Sequence, residues 1–235
     1  MPHTLKDKVA IVTGASRGIG AAIAERFAAE GAQVVLVART GEPGGKLPGS
    51  LDETAARIRA NGGDCLCVQA DLASAADRER IVGATLGQYG GVAILVNNAA
   101  WARFGAGYAQ SPERVQLAYA VNLFAPHHLA QLVIPAMKAR GGGWILNLSS
   151  ATSTRPGPAP YDPKDRAYRF HTTHSPTLYG STKAALERLS TGMAMELAAD
   201  NIAVNTLAPV EAVASEGALV SGSIDDLAHM EPVEA

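Results

Sequence analysis

Cysteine is scarce in this chain of 235 residues, which has two thiols, Cys65 and Cys67. The two alternate along one predicted strand, so we expect free thiols buried against a sheet and no disulfide framework. No histidines stand at a spacing that would complete a zinc site with them. We therefore expect no metal site.

Net charge and long apolar runs are also lacking. The 20 Lys and Arg residues nearly balance the 22 Asp and Glu residues, leaving a net charge of -2 and no electrostatic footprint for nucleic acid. No apolar run approaches the roughly 20 residues of a membrane helix, and residues 1–8 lack the apolar core of a signal peptide. We expect a cytoplasmic protein without a nucleic-acid or membrane partner. With 47% hydrophobic residues, one domain over 1–235 can bury a sizeable core.

A glycine-rich turn over residues 13–20 lies between a β-branched run at 8–12 and a helical pattern at 21–30. Unpaired N–H groups at a helix start, together with the helix dipole, attract a pyrophosphate, and glycines let it approach. Glycines also mark ordinary turns, but the strand–turn–helix context favours nucleotide binding. The turn residues expected to hold the nucleotide are Gly14, Ser16, Arg17, Gly18, Ile19 and Gly20.

The alternation of strand and helix repeats along the chain. Further strands are predicted at 33–38, 65–69, 92–96, 144–148 and 202–205. Helical patterns separate them, and the longest covers 112–140. This rhythm predicts an α/β fold, a doubly wound parallel sheet with helices on both faces. Ligands should bind at the C-terminal strand tips, where Gly14, Arg39, Asp71 and Asn97 fall.

Arg39 ends the second predicted strand. At this position an acidic side chain accepts the ribose 2′-OH of NAD, whereas a basic side chain accommodates the 2′-phosphate of NADP. We expect Arg39 and Arg17 to converge there, which favours NADP(H) and leaves NAD(H) as the alternative. Two solvated surface arginines are the other interpretation.

Residues 151–177 interrupt the alternation of strands and helices. The stretch contains five prolines together with Tyr161, Tyr168 and Phe170. The stretch is longer than most structureless loops, which indicates a functional excursion over the site. A solvated surface loop, or a contact with another subunit, is the alternative. His171 and His174 within it are typical polar loop residues.

Tyr179 and Lys183 are four residues apart, so on a helix they share one face. A free phenol titrates at about 10, and a neighbouring ammonium would favour the phenolate. The strand tip before the excursion carries Ser149 and Ser150, and a hydroxyl there suits polarisation of a carbonyl oxygen. Taken alone, each of these patterns is common and mostly structural.

In combination, these features resemble the short-chain dehydrogenase/reductase family of classical type. The shared pattern is Thr13-Gly14-x-x-x-Gly18-x-Gly20, Asp71, Asn97-Asn98-Ala99, Asn122, Ser149-Ser150 and Tyr179-x-x-x-Lys183. It covers about residues 8–209 and implies a Rossmann fold with strand order 3-2-1-4-5-6. Residues 46–49 resemble the hydroxysteroid-dehydrogenase-like branch of the family.

The resemblance implies that Tyr179 is the catalytic acid/base and that Lys183 lowers its pKa and holds the nicotinamide ribose. It also implies that Ser150 orients the carbonyl and that Asn122 anchors a water in the proton relay. The further cofactor contacts that it implies are Asp71, Leu72, Asn98, Ala99, Ala100 and Pro209.

By the same resemblance, the expected activity is hydride transfer between NADP(H) and a ketone or aldehyde, or the reverse reaction from an alcohol. The expected assembly is a homotetramer or homodimer. A catalytically silent dinucleotide-binding regulator is the alternative, and such a protein would be expected to have lost the Tyr or the Lys.

This chain departs from the family pattern at several positions. The separation of Ser150 from Tyr179 is longer than usual, and Pro209-Val210 replaces a Pro-Gly pair. Ala214 stands where a threonine contacts the carboxamide. The family continues into a last helix and a seventh strand where this sequence stops, so we expect that strand to be missing from it.

Overall fold

The architecture is a six-stranded parallel sheet covered by helices on both faces. The computed structural model describes residues 4–44, 47–154, 157–210, 212–213, 215 and 230–231. Its strands are β1 (Val9–Thr13), β2 (Gln33–Ala38), β3 (Asp64–Gln69), β4 (Ile94–Asn97), β5 (Gly143–Leu148) and β6 (Ile202–Leu207). The strand order is β3-β2-β1-β4-β5-β6, which confirms the predicted doubly wound topology.

Helices follow most of the strands. They are α1 (Gly18–Ala29), α2 (Leu51–Ala60), α3 (Ala75–Tyr89), α4 (Pro112–Tyr119), α5 (Ala125–Ala139), α6 (Arg166–His174) and α7 (Thr177–Glu196). Ser50 and Ser74 start α2 and α3, because each hydroxyl accepts a hydrogen bond from a first-turn N–H group. Beyond the sheet, Ala212–Val213 and Met230–Glu231 form a short parallel pair.

Both faces of the sheet are buried, which explains why its strands read as continuous apolar runs. In β1, Ala10 and Val12 pack with α1 and α2, whereas Ile11 between them points to the opposite face. On that face Leu129 and Val133 of α5 are fully buried. The packing of both layers leaves the C-terminal edge of the sheet open for a site.

The helical stretch Pro112–Ala139 is interrupted by a π-helical turn at Ala120–Phe124. It is long and apolar enough to cross a membrane, with a mean hydropathy of 1.2 over an 18-residue window. It meets this test by length and mean hydropathy, but it is not an uninterrupted apolar run, because it contains Asn122, His127 and His128. In this fold Leu129, Val133 and Met137 of the stretch are buried in the core of the sheet.

The stretch predicted as a proline-rich loop contains a helix, α6. Asp165 caps it by accepting a hydrogen bond from the N–H of Tyr168 at 2.9 Å. The prolines of the stretch obscured this helix, although none falls within it: four precede the Asp165 cap and Pro176 follows the helix. Helix α7 begins at Thr177, two residues before Tyr179.

A buried polar chain joins β4, β5 and α7. The Asn97 amide donates to Asn147 Oδ1 at 2.8 Å, and the Asn147 amide donates to Ser190 Oγ at 2.8 Å. All three side chains are at most 3% exposed. Because buried polar groups strongly favour paired geometry, these hydrogen bonds fix α7 against the sheet.

Candidate active site

The glycine turn places backbone where side chains would not fit. A Cβ at Gly20 would lie 2.3 Å from the Gly14 carbonyl oxygen, and Gly14 has a φ of +71°. Arg17 precedes α1 with extended backbone, and its side chain makes no cap hydrogen bond to the helix. The first N–H groups of α1 therefore point into open space, as an anion-binding helix start requires.

A cavity of about 1780 Å³ extends from this turn along the C-terminal edge of the sheet. Every residue predicted to bind the cofactor lines the cavity, as does Ser150. Of the predicted catalytic residues, Asn122 alone does not line it. The fold thus brings together groups that are up to 195 positions apart in the chain, from Gly14 to Pro209.

Arg17 and Arg39 both line one end of the cavity, but their side chains differ in their contacts. Arg17 Nε donates to the Pro48 carbonyl at 2.6 Å, and its Nη2 donates to the Gly49 carbonyl at 2.7 Å. Arg39 is exposed, and the structure shows no side-chain hydrogen bond or ion pair for it among the described residues. Arg17 therefore shapes the wall, while the Arg39 guanidinium remains available to an anion.

Thr13 and Asn98 join β1 to β4 beneath the glycine turn. Thr13 Oγ1 accepts hydrogen bonds from the N–H groups of Asn98 and Ala99 at 3.0 and 3.1 Å. The Asn98 amide donates to the Thr13 carbonyl at 2.8 Å. These contacts hold the segment that follows β4 along the cavity floor. Asp71 lies at the tip of β3, where its Oδ1 accepts from the N–H of Ala73 at 3.0 Å.

Tyr179 and Lys183 lie one turn apart on α7, with Lys183 Nζ 5.6 Å from the centroid of the tyrosine ring. Lys183 is 2% exposed, and its ammonium donates to the Leu148 carbonyl at 2.6 Å. Burial lowers the pKa of Lys183 to about 8, an effect that the negative charge of Glu187 opposes.

Burial raises the pKa of Tyr179 to about 12. This direction is opposite to the one that the Tyr–Lys spacing predicts. The reason is that the cavity wall desolvates the phenol, while the Lys183 ammonium is directed to the Leu148 carbonyl at the tip of β5. Tyr179 is therefore a phenol, not a phenolate, at neutral pH.

Ser150 lies in a turn that packs closely on α7. Its Oγ accepts from the N–H of Thr152 at 3.2 Å and starts the 3-10 turn Ala151–Ser153. A Cβ at Gly180 would lie 2.4 Å from the Thr152 carbonyl oxygen, so Gly180 allows this close approach. Ser150 is thereby held on the same cavity wall as Tyr179.

Asn122 lies in the π-helical turn, fully buried behind the cavity. Its Oδ1 accepts from the N–H of Trp101 at 2.7 Å. Its Nδ2 donates to the Trp101 carbonyl at 2.8 Å and to Thr182 Oγ1 at 3.0 Å. The side chain therefore ties the segment after β4 to α7, one residue before Lys183.

Aromatic rings form the outer wall of the cavity. Phe104 lies 6.1 Å from Tyr179 and 6.5 Å from Phe170 of α6, measured between ring centroids. Phe170 in turn stacks on His174 at 4.8 Å. The sequence pattern indicated Phe170 but not Phe104, whose position in a loop after β4 carries no periodic signal.

Two further features concern the predicted site. Ala214, the position of the family's threonine, lies outside the described residues. Within the part of the chain that the structure describes, no three His, Cys, Asp or Glu side chains cluster in a way that could hold a metal ion.

Comparison with known proteins gives the family. The family model for short chain dehydrogenase matches residues 8–161. This chain belongs to the short-chain dehydrogenase/reductase family. The match covers the glycine turn, Asn122 and Ser150, whereas Tyr179 and Lys183 lie beyond it.

Individual members of the family are similar to this chain over most of its length. Dehydrogenase/reductase SDR family member 4 of Bos taurus is 35% identical over 208 residues, which are 88% of this chain and 66% of that protein. Hydroxysteroid dehydrogenase-like protein 2 of Danio rerio is 35% identical over 203 residues, 86% of this chain and 45% of that protein. These matches confirm the resemblance to the classical type and to the hydroxysteroid-dehydrogenase-like branch. The chain thus spans two thirds or less of the length of these curated relatives.

Among solved structures, a metagenomic short-chain oxidoreductase in complex with NADP superposes with a TM-score of 0.76 and 31% identity. The superposition covers 97% of this chain and 96% of that chain. The fold of this family member is therefore one that binds a nicotinamide dinucleotide.

Proposed function

We propose that this oxidoreductase transfers hydride between NADP(H) and a carbonyl compound, reducing a ketone or aldehyde to an alcohol or catalysing the reverse reaction. One observation carries the proposal. A single cavity joins an uncapped helix start at the glycine turn to Tyr179, Lys183 and Ser150. The helix start suits a pyrophosphate, and the three side chains suit proton transfer to a carbonyl oxygen.

The residues present fit a dinucleotide. The missing side chains at Gly14 and Gly20 let the turn close tightly at the start of α1, where a pyrophosphate would bind, and Asp71 lines the cavity and would face the adenine. Arg39 would meet a 2′-phosphate, and Lys183 would hold the nicotinamide ribose. When bound, the reduced nicotinamide supplies the hydride.

Proton transfer falls to Tyr179. With a pKa of about 12 its phenol stays protonated at neutral pH, so it can donate a proton to the alkoxide that forms during reduction. The Lys183 ammonium, whose pKa is about 8, is largely charged at neutral pH and stabilises the phenolate that remains.

Ser150 and Asn122 support this step in different ways. The Ser150 hydroxyl lies on the cavity wall and would donate a hydrogen bond to the carbonyl oxygen, fixing its orientation. The Asn122 side chain is committed to Trp101 and Thr182. This side chain would therefore not hold the predicted relay water; it instead fixes the segment after β4 against α7, in a π-helical turn of the kind that often occurs at functional sites.

The test of this function is the consumption of NADPH over a panel of ketones and aldehydes. Turnover of at least one member supports the enzyme. Binding of NADPH without turnover of any panel member, in either direction, would favour the silent regulator. Both Tyr179 and Lys183 are present and packed together, which supports the enzyme.

Substituting Arg39 by aspartate is expected to reverse a preference for NADPH over NADH. A charge-assisted hydrogen bond contributes roughly 1.5–3 kcal/mol, so NADPH affinity should fall about 10- to 150-fold while NADH affinity is kept or improved. Isothermal titration of both cofactors into the apo protein measures this.

Arg140→Asp is the matched control, because Arg140 is exposed just before β5, at the opposite edge of the sheet. It should leave both affinities unchanged. Equal affinities of the parent protein for NADPH and NADH, or no change in Arg39→Asp, would refute the preference.

Helix α6 is proposed to shape the substrate pocket through Phe170, which packs edge-to-face on Phe104 in the outer wall of the cavity. Phe170→Ala removes this face of the wall. Aromatic contacts contribute about 0.5–1.5 kcal/mol, so kcat/KM should fall roughly 2- to 12-fold for bulky aromatic ketones. Small aliphatic aldehydes should be nearly unaffected, and NADPH affinity should be unchanged.

Arg169→Ala is the control on the same helix, since Arg169 is exposed and does not line the cavity. Steady-state kinetics over the carbonyl panel give the comparison. A uniform loss over all substrates, accompanied by a change in oligomer size, would instead assign α6 to a subunit contact.

A further inference from the structure

Glu187 lies on α7 one turn beyond Lys183, and its carboxylate is tied to the turn that carries Ser150. The hydroxyls of Ser149 and Ser153 both donate hydrogen bonds to Glu187 Oε1, the second at 2.6 Å. These serines stand on either side of Ser150 in the chain. One carboxylate oxygen therefore holds both ends of the segment that presents Ser150 to the cavity.

The same carboxylate is the charged group that acts on Lys183. Lys183 is buried, and its ammonium has the Leu148 carbonyl as a neutral partner. The charge of Glu187 raises the pKa of Lys183 against the effect of burial. In a poorly solvated site an opposite charge one helical turn away has a large effect on an ammonium.

The other side chains held against α7 near these two residues are neutral. Asn147 and Ser149 come from β5 and its tip, and Ser153 comes from the turn that follows. From the π-helical turn, Asn122 contacts Thr182, and from α4 the Tyr119 hydroxyl lies 3.3 Å from Ser181 Oγ. Among the residues that the structure describes, Tyr179 is the remaining titratable group that faces Lys183. Within that part of the chain, these neighbours leave Glu187 as the source of negative charge for this pair.

We propose that Glu187 is a positioning residue for the reaction. It clamps Ser149 and Ser153 so that Ser150 is fixed on the same cavity wall as Tyr179, and it keeps the Lys183 ammonium charged while the proton is transferred. Neither the sequence pattern of the family quoted above nor the cavity lining includes Glu187, because it acts from behind the wall.

The inference rests on the proposed function, but one of its tests needs no turnover. Lysine is labelled with ¹³C at Cε, and the Lys183 resonance is assigned from its absence in Lys183→Met. Its titration is then followed in the parent protein, in Glu187→Gln and in the control Glu196→Gln. Glu196 lies on the same helix and is exposed. The Lys183 midpoint should fall on the order of half to one pH unit in Glu187→Gln and stay constant in the control.

Steady-state kinetics test the effect of the Glu187 charge in the active enzyme. In Glu187→Gln, the alkaline limb of the kcat profile for carbonyl reduction should move to lower pH by the same amount. Removing a negative charge lowers the pKa values of both Lys183 and Tyr179, so both groups move the limb in that direction. Thermal unfolding verifies that the nearly isosteric glutamine variant is folded.

The double variant Ser149→Ala, Ser153→Ala separates the clamp from the charge. It should raise the carbonyl KM and lower kcat about 10-fold or more, while the Lys183 midpoint stays at its parental value. The inference is overturned if Glu187→Gln leaves the Lys183 midpoint unchanged, or if the double serine variant retains parental kinetics. If the parent protein shows no turnover at all, the function fails, and the lysine titration still decides the electrostatic role of Glu187.

Discussion

Tyr179→Phe is expected to reduce kcat for carbonyl reduction by 10²- to 10⁴-fold, the range that a positioned general acid contributes. The substitution removes the phenolic proton that we assign to the alkoxide and leaves the ring in place. The ring packs against Phe104 at 6.1 Å, so the wall of the cavity should keep its shape. Affinity for NADPH should therefore change little, and single-turnover kinetics should locate the loss in the chemical step.

Tyr161→Phe is the matched control. Tyr161 also lines the cavity and stacks on Tyr168 at 5.8 Å, but it lies far from Lys183 in the chain and is exposed. The control should keep parental kcat. Retention of more than about a tenth of kcat by Tyr179→Phe would show that another group donates the proton, because a general acid contributes far more than tenfold.

Lys183→Met should abolish most turnover and, at neutral pH, make the protein more stable. Lys183 is 2% exposed, and burial moves its pKa from 10.5 to about 8. Keeping that charge buried costs about 3 kcal/mol, and loss of the charge-assisted hydrogen bond to the Leu148 carbonyl offsets roughly 1.5–3 kcal/mol of the gain. The free energy of unfolding should rise by up to about 1.5 kcal/mol, as happens when buried charges give way to apolar groups of similar volume.

The lowered pKa of Lys183 also determines how the stability of the parent protein changes with pH. Below pH 8 Lys183 is protonated in both the folded and the unfolded state, so the folded state carries the full cost of the buried charge. Between about pH 8 and pH 10.5 the unfolded state binds more protons, and the parent protein gains stability as the pH rises.

Urea unfolding at pH 7 and at pH 9.5 measures the effect. The advantage of Lys183→Met should shrink at the higher pH. Lys164→Met, at an exposed lysine on the excursion, should show no such pH-dependent difference. A Lys183→Met protein less stable than its parent at pH 7 would mean that the Leu148 contact outweighs desolvation.

Local patterns sufficed for the parts of the site that a single βαβ unit or a single helix builds. Gly14 and Gly20 were predictable because the turn between β1 and α1 needs them, and Tyr179 and Lys183 because helical spacing puts them on one face. In both cases the decisive residues lie within a few positions of one another. The regular alternation of strands and helices predicted the parallel sheet, whereas its strand order was implied by the family resemblance.

Properties that depend on tertiary packing were not predictable in this way. The direction of the Tyr179 shift depends on how deeply α6 and the Phe104 loop bury the phenol. The partners of Arg17 come from residues 48 and 49, in a loop whose composition predicts no specific contact. Helix α6 had a sequence signal, the Asp165 cap, but the preceding prolines outweighed it.

The hydrogen bond between Asn147 and Ser190 has a mechanical consequence. A slide of α7 by one turn, about 5.4 Å, would bring Leu186 or Ala194 close to the position of Ser190. The paired amide and hydroxyl, 2.8 Å apart, have no equivalent partners one turn away. Ser190 lies eleven residues from Tyr179, about 16 Å along the axis, yet it sets the longitudinal position of the whole helix. The position of the Tyr179 phenol relative to a substrate is thus determined in part by the Asn147–Ser190 hydrogen bond, which no ligand in the cavity contacts.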